Sequence, residues 1–471
     1  SQGTHFVKHT YIKNCLLIVV FLAFYVIGIR GGMQLRPITI LSATESAGTD
    51  MAPGVLNATF SLIRTYSKTS LQIIQDFSAD EVGPCFNGMH KLNTVVTESP
   101  PINVVILVVE SLSAQYISKF GGASSTPFLD SLMDHSLVFT HAFANARESV
   151  TGIPAILASI PAWMDEPYIF SRYATNSVDA LPSLLKSKGY TSLFFHGADP
   201  GTMGFNPFCK SIGMDHYFSK DDYPDPVTDF DGSWGIWDHK YLPFAAHKMN
   251  SIHSPFIATV FSLNSHHPFK IPAQFGSQFD MKGHPILASI RYSDYALSLF
   301  FDSVKSMPWY ANTLFVITAD HTGPNAQVKP TKLDEMHIPI VFFKPDGSLK
   351  GTSHEVVSQI DIMPTVLDMI GITSPFYALG KSVFDHNCPK FHIHYTSGIY
   401  QYLDSTYAMI HTGKKVIGLY DYERDQMFKQ NLMGRHDIQL IVKKMELNLK
   451  MSIQTFNNNM VNDQMTANHA H

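Results

Sequence analysis

An α/β fold, with a mostly parallel sheet flanked by helices, is predicted by three features of the sequence. Residues 103–109 (NVVILVV) are an unbroken apolar run rich in Val and Ile, the pattern of a strand buried on both faces. Residues 314–319 repeat that pattern, and the two runs end in Glu110 and in Asp320-His321. From residue 101 onward, strand-like runs alternate with helical patterns, as in βαβ units. Ligands of open α/β sheets sit beyond the carboxyl ends of the strands, so Glu110, Asp320 and His321 fall where a site is expected. A small C-terminal antiparallel sheet and an N-terminal transmembrane helix complete the predicted architecture.

The chain divides into four expected parts. Residues 15–29 (CLLIVVFLAFYVIGI) carry no charge and span about 22 Å as a helix, somewhat short of the ~30 Å of a bilayer core. Tyr11 and Tyr25 suit the interfaces, and Lys13 and Arg30 can snorkel. A secretory h-region and a buried core helix are the competing readings. Residues 1–30 are expected to be a membrane helix, the last of a longer N-terminal membrane region. Lys8 and Lys13 place its N-terminal side in the cytoplasm and the rest of the chain outside. Residues 31–100 read as a juxtamembrane connector with an amphipathic stretch over 56–74. Residues 101–388 form the expected catalytic domain, and 389–471 a C-terminal antiparallel meander plus helix.

Within the central part, Thr126 is expected to cap a helix that has Pro127 at its first position. Residues 137–140 and 191–196 read as strands and 181–188 as a helix. Residues 256–263 read as a buried strand, 291–305 as a helix, 338–343 as a strand and 361–370 as a helix. Four short strand-like runs lie within 391–420. A helix over 437–453 follows, and the asparagines at 457–459 are expected to fray.

Composition excludes some partners. At 471 residues with a formal net charge of -5 and no Lys/Arg cluster, the chain offers no basic surface for nucleic acid. Its four cysteines (Cys15, Cys85, Cys209, Cys388) form no C-x-x-C pair, so neither a zinc finger nor a redox motif is supported. Three of them lie outside the apolar segment; one disulfide fits, with its pairing open.

Glu110, a hydroxyl at 149 or 151, Asp320 and His321 make a four-ligand set for one divalent cation. Hard oxygens with one imidazole suit manganese, magnesium or zinc. Coordination would activate a Ser or Thr hydroxyl as a nucleophile and shield the charge that grows on a phosphoryl group. The loop 144–154 (ANARESVTGIP) enters a helix, whose N-terminus favours an anion. Any single histidine, His196 among them, is more often structural; His321 stands out because Asp320 and a buried strand accompany it.

The blocks NVVILVVESLSAQYI, TPFLDSLM, FANARESVTGIPAILASIP, FFHGAD with TMGF, DFDGSWGIWD, SLNSHHPF, LFVITADHTG and SQIDIMPTVLDMIG cover most of residues 101–385. In that order the chain resembles the alkaline phosphatase/sulfatase superfamily. Within it, the match is to the lipoteichoic acid synthase-like and periplasmic phosphoglycerol transferase group. RGGMQLRPI after the apolar helix is similar to that group's connector.

The resemblance implies a sulfatase-like, alkaline-phosphatase-like fold and a metal site of Glu110, Ser149, Asp320 and His321, with Mn2+ the first choice and Mg2+ or Zn2+ next. It implies Ser149 as nucleophile, with Thr151 the competing candidate, and His266 rather than His267 as the catalytic histidine at the substrate. Trp234 and Arg147 are implied as further substrate contacts, while Asp361 is expected to cap or to brace a ligand.

The function implied is a membrane-anchored phosphoglycerol (phosphoalcohol) transferase of the bacterial cell membrane, its catalytic domain outside the cytoplasm. It would move a phospholipid headgroup onto an envelope glycan or polymer through a covalent Ser intermediate. A hydrolase of the same superfamily (phosphodiesterase, phosphatase or sulfatase) and a phosphoethanolamine transferase are the alternatives. Formylglycine maturation needs Pro two and Arg four residues after the nucleophile, and Thr151 and Ile153 stand there, which disfavours a sulfatase.

Overall fold

The computed structural model describes residues 2–30, 70–92, 101–145, 147–253, 255–279, 282–326 and 331–468. The amphipathic stretch expected over 56–74 lies outside these residues up to position 69.

A central sheet of eight strands carries the core. In chain order they are β1 (Asn103–Val109), β2 (Leu137–Phe143), β3 (Thr191–His196), β4 (His216–Phe218), β5 (Phe256–Phe261), β6 (Thr313–Ala319), β7 (Ile340–Phe343) and β8 (Gly351–Ser358). Their spatial order is β4-β3-β5-β1-β6-β7-β2-β8. β1 sits in the middle, parallel to β5 on one side and to β6 on the other. Every residue of β1, β5 and β6 is buried, which is why each reads as a continuous apolar run. Parallel pairing in register (Val109 opposite Ala319) brings Glu110 and Asp320 out at the same edge.

β7 departs from the expected pattern by running antiparallel to both β6 and β2. Its IVFF run is apolar like the others, and burial alone carries no direction.

The described α-helices longer than a single turn are α1 (Gln2–Arg30), α2 (Pro127–Met133), α3 (Ser149–Ala158), α4 (Leu181–Lys186), α5 (Phe205–Ser211), α6 (Asp238–Met249), α7 (Pro285–Val304), α8 (Ile362–Met369) and α9 (Gln439–Val461). In α1, the 18-residue stretch Tyr11–Gly28 is long and apolar enough to cross a membrane, and none of it is covered by the rest of the chain.

The expected Thr126 cap is not formed by Thr126. Its hydroxyl lies 3.5 Å from Asp130 Oδ2, and the first amides of α2 are taken by a residue remote in sequence. Asp294, on α7, accepts from Phe128 N (2.8 Å) and Leu129 N (2.9 Å). A carboxylate brought by tertiary packing outcompetes a local hydroxyl for the same donors.

The C-terminal part forms the meander: β9 (His392–Thr396), β10 (Ile399–Leu403), β11 (Tyr407–His411) and β12 (Val416–Asp421), paired antiparallel in that order. The helix that follows runs to Val461, so the expected fraying at 457–459 does not occur. Asn458 Oδ1 accepts from Ile74 N and its Nδ2 donates to Ile74 O. Gln454 Oε1 accepts from Asp76 N and Phe77 N, and its Nε2 donates to Phe77 O; Asn457 donates to Gln72 O. Polar side chains that look solvated in the sequence are here the clasp that holds residues 72–77 along α9. A Cys85–Cys388 disulfide fixes the same connector further on, while Cys209 is buried and free.

Candidate active site

β1 delivers Glu110 and β6 delivers Asp320 and His321 side by side. One ligand atom from each of these three residues lies within 4.8 Å of the others. His321 Nε2 is 3.3 Å from Asp320 Oδ2 and 3.5 Å from Glu110 Oε1.

Across from them, α3 begins at Ser149, with the chain still extended at Glu148. Ser149 Oγ donates to Glu110 Oε2 at 3.2 Å and lies 3.5 Å from His321 Nε2. Thr151 is turned away: its hydroxyl donates to Glu148 O at 2.8 Å.

Gly152 makes this approach possible. A Cβ built there would overlap Asp320 O and stand 2.9 Å from its carbonyl carbon. Gly323 plays the same part beyond His321, where a Cβ would meet Ser111 O at 2.7 Å. The loop after His321 is pinned by Ser113 Oγ on Gly323 N (2.9 Å) and by Gln115 Oε1 on Ala326 N (2.9 Å).

The donor set fits a divalent cation. Glu110 and Asp320 are 2% and 0% exposed, so two carboxylates share a site closed to water. Burial first, then the charge of Asp320, drive the Glu110 carboxyl well above the ordinary carboxylate range. Asp320 Oδ2 is buried with no hydrogen-bond donor among the described residues. His321 Nδ1 is 2.8 Å from Thr322 O, which can only accept, so Nδ1 carries the proton and Nε2 turns its lone pair to the carboxylates. Like charges, an unsatisfied oxygen and an imidazole lone pair converge where a cation would relieve all three.

Of the other expected residues, His266 and Trp234 form a separate pair, their ring centroids 3.8 Å apart. Both bind the carbonyl of His267: Trp234 Nε1 donates to it at 2.7 Å, and His266 Nδ1 lies 3.0 Å away. Burial lowers the His266 imidazole from its usual range; the bond to His267 O and the charge of Asp320 oppose this, so the ring shares the field of the carboxylates. Arg147 is exposed, and its Nη1 donates to Thr396 Oγ1 at 3.2 Å, which ties the loop before α3 to the meander. Asp361 lies outside the ligand group. It accepts from Ser358 N (2.8 Å) and Lys381 N (2.7 Å), as a capping residue does. His196 is fully buried, stacked on Phe261 with ring centroids 4.8 Å apart.

Sequence reasoning missed four supports. Gln359 Nε2 donates to Ala319 O and Asp320 O, and Ser262 Oγ accepts from Glu110 N. Asp231 Oδ1 gathers the amides of Ser233, Trp234 and Gly235 at 2.7, 2.7 and 3.2 Å; its Asp-Gly turn was the available signal. Asp238 links that loop to the His266 loop by accepting from Leu263 N and Asn264 N.

Residues 102–372 match the family model described as Sulfatase. Phosphoglycerol transferase I of Citrobacter koseri is 26% identical over 319 residues, covering 64% of this chain and 41% of that protein. Lipoteichoic acid synthase 2 of Bacillus subtilis is 24% identical over 375 residues, covering 74% of this chain and 56% of that protein. The chain thus spans about half the length, or less, of these two relatives.

Among solved structures, an alkaline phosphatase superfamily protein from Vibrio parahaemolyticus superposes with TM-score 0.70 at 24% identity, covering 86% of this chain and 98% of that one. The lipoteichoic acid synthase LtaP of Listeria monocytogenes does so with TM-score 0.64 at 18% identity and the same coverage. The alkaline-phosphatase-like fold expected from the sequence is therefore the fold present.

Proposed function

Because the chain belongs to the sulfatase family, we propose that it is a membrane-anchored, metal-dependent phosphoglycerol (phosphoalcohol) transferase of the lipoteichoic acid synthase-like group. The observation that carries this reading is Ser149 Oγ at the start of α3, 3.2 Å from Glu110 and 3.5 Å from His321.

Glu110, Ser149, Asp320 and His321 would hold a divalent cation, manganese first, which when bound supplies Lewis-acid stabilisation and favours the ionised serine hydroxyl. Ser149 Oγ attacks the phosphorus of a phospholipid headgroup, forming the Oγ–P bond as the bond to the diacylglycerol oxygen breaks. Ser149 opens α3, so the positive end of the helix dipole would favour the developing anion. His266 gives a proton to the departing alkoxide and then takes one from the acceptor hydroxyl of an envelope glycan or polymer. That hydroxyl displaces Ser149 and restores the free enzyme. Trp234, bonded to the His266 loop, offers its face to the glycerol, and Arg147 offers charge to the phosphate.

On this reading residues 101–388 are the catalytic domain, 389–471 its C-terminal extension, 31–100 the connector and 1–30 the anchor. The exposed apolar helix supports an anchor in the bacterial cell membrane. The Cys85–Cys388 disulfide supports a catalytic domain outside the cytoplasm, in an oxidising compartment.

The test is incubation of purified protein with headgroup-labelled phosphatidylglycerol or phosphatidylethanolamine, with and without Mn2+. Manganese-dependent label on Ser149 from phosphatidylglycerol is expected, absent in Ser149→Ala. Release of free headgroup with no covalent species would instead support the hydrolase reading, and label from phosphatidylethanolamine alone the phosphoethanolamine one.

A further inference from the structure

One residue touches both buried carboxylates and has no role in the reading above. Ser111 follows Glu110 with φ 57°, a left-handed conformation that a serine adopts only under constraint. That conformation turns its two donors in different directions. Its Oγ donates to Glu110 Oε1 at 2.6 Å, and its backbone N donates to Asp320 Oδ1 at 2.8 Å. It is 5% exposed, so water does not supply these bonds in its place.

Each carboxylate is thereby left with one oxygen not held by Ser111. Glu110 Oε2 faces Ser149 Oγ, and Asp320 Oδ2 has no donor among the described residues. We propose that Ser111 is the positioning residue of this centre, its hydroxyl and amide fixing which oxygen of Glu110 and of Asp320 is presented to the cation. The inference rests on the metal-dependent reading above. A partner that orients a metal-binding group is worth about 10- to 100-fold in metal affinity.

The test is Mn2+ titration of the whole metal-free protein, followed by the electron paramagnetic resonance signal of free Mn2+, with thermal unfolding alongside. Two variants separate binding from backbone strain. Ser111→Ala keeps the strained φ and loses the hydroxyl; Ser111→Gly loses the hydroxyl and relieves the strain. Both are expected to bind Mn2+ about 10- to 100-fold more weakly, with the glycine variant melting no lower than the alanine one. Wild-type affinity in a folded Ser111→Gly protein would overturn the inference and leave the proposed function standing. Absence of Mn2+ binding by the wild type would overturn both.

Discussion

Gly152 and Asp320 meet backbone to backbone, with no room for even a methyl group between the first turn of α3 and the end of β6. Alanine within a helix ordinarily stabilises by about 1 kcal/mol over glycine. Here the sign reverses: Gly152→Ala is expected to cost about 1–3 kcal/mol through overpacking. It should also lower turnover by roughly 100-fold, since α3 carries Ser149 away from Glu110. Denaturant unfolding and headgroup transfer measure the two effects. A stabilised, fully active Gly152→Ala protein would refute the close approach.

The hydroxyls at 149 and 151 have different partners and should respond differently to removal. Thr151 donates to a backbone carbonyl of its own turn, so Thr151→Ala should change turnover by less than about tenfold, or ~1.4 kcal/mol. Ser149→Ala should abolish the covalent label. Loss of label in Thr151→Ala, with Ser149→Ala unaffected, would reassign the nucleophile.

The contribution of two buried carboxyls to stability should fall as the solution moves from acid toward neutral pH. Burial pushes the carboxyls of Asp238 and Asp294 from 3.8 up to about 7 in each case. A carboxyl whose folded-state pKa is raised keeps its proton better in the native state. Its contribution is full below pH 3.8 and is lost as pH rises through about 7. Each group adds a slope of at most ~1.4 kcal/mol per pH unit within that window. Asp238→Asn should remove one such slope, seen as the pH dependence of the wild-type-minus-variant difference in urea unfolding free energy between pH 4 and 8. A difference that stays constant with pH would refute the assignment.

Cys85 and Cys388 are 303 residues apart in sequence, so their bond closes most of the described chain into one loop. Replacing both by serine should cost about 2–5 kcal/mol, read as a lower thermal midpoint insensitive to reductant. Reductant should lower the wild-type midpoint toward that of the variant, and no shift in either comparison would exclude a structural role for the bond.

The proposed ligands were legible because a strand buried on both faces is a largely apolar run whose first charged residue emerges at the sheet edge. Glu110 and Asp320 are those residues, and in-register parallel pairing of their strands puts them together. Ser111 and Gln359 carried no such mark. Their roles come from a left-handed backbone and from a loop arriving from elsewhere, neither of which residue type encodes. The same limit explains Asp294 at the start of α2 and the disulfide pairing. It also explains the antiparallel course of β7, whose composition suits either direction.

The fastening of residues 72–77 onto α9 is made by side-chain amides that grip main-chain N–H and C=O groups. Such a grip is nearly blind to what the gripped residues are: apart from the half-buried Leu71, Ile74 and Phe77, residues 70–77 show their side chains to solvent. Sequence can therefore drift along this segment while its attachment survives, so long as proline, which lacks the required N–H, stays out of positions 74, 76 and 77. Variation tolerated on one side of the clasp would coexist with intolerance at Gln454 and Asn458 on the other.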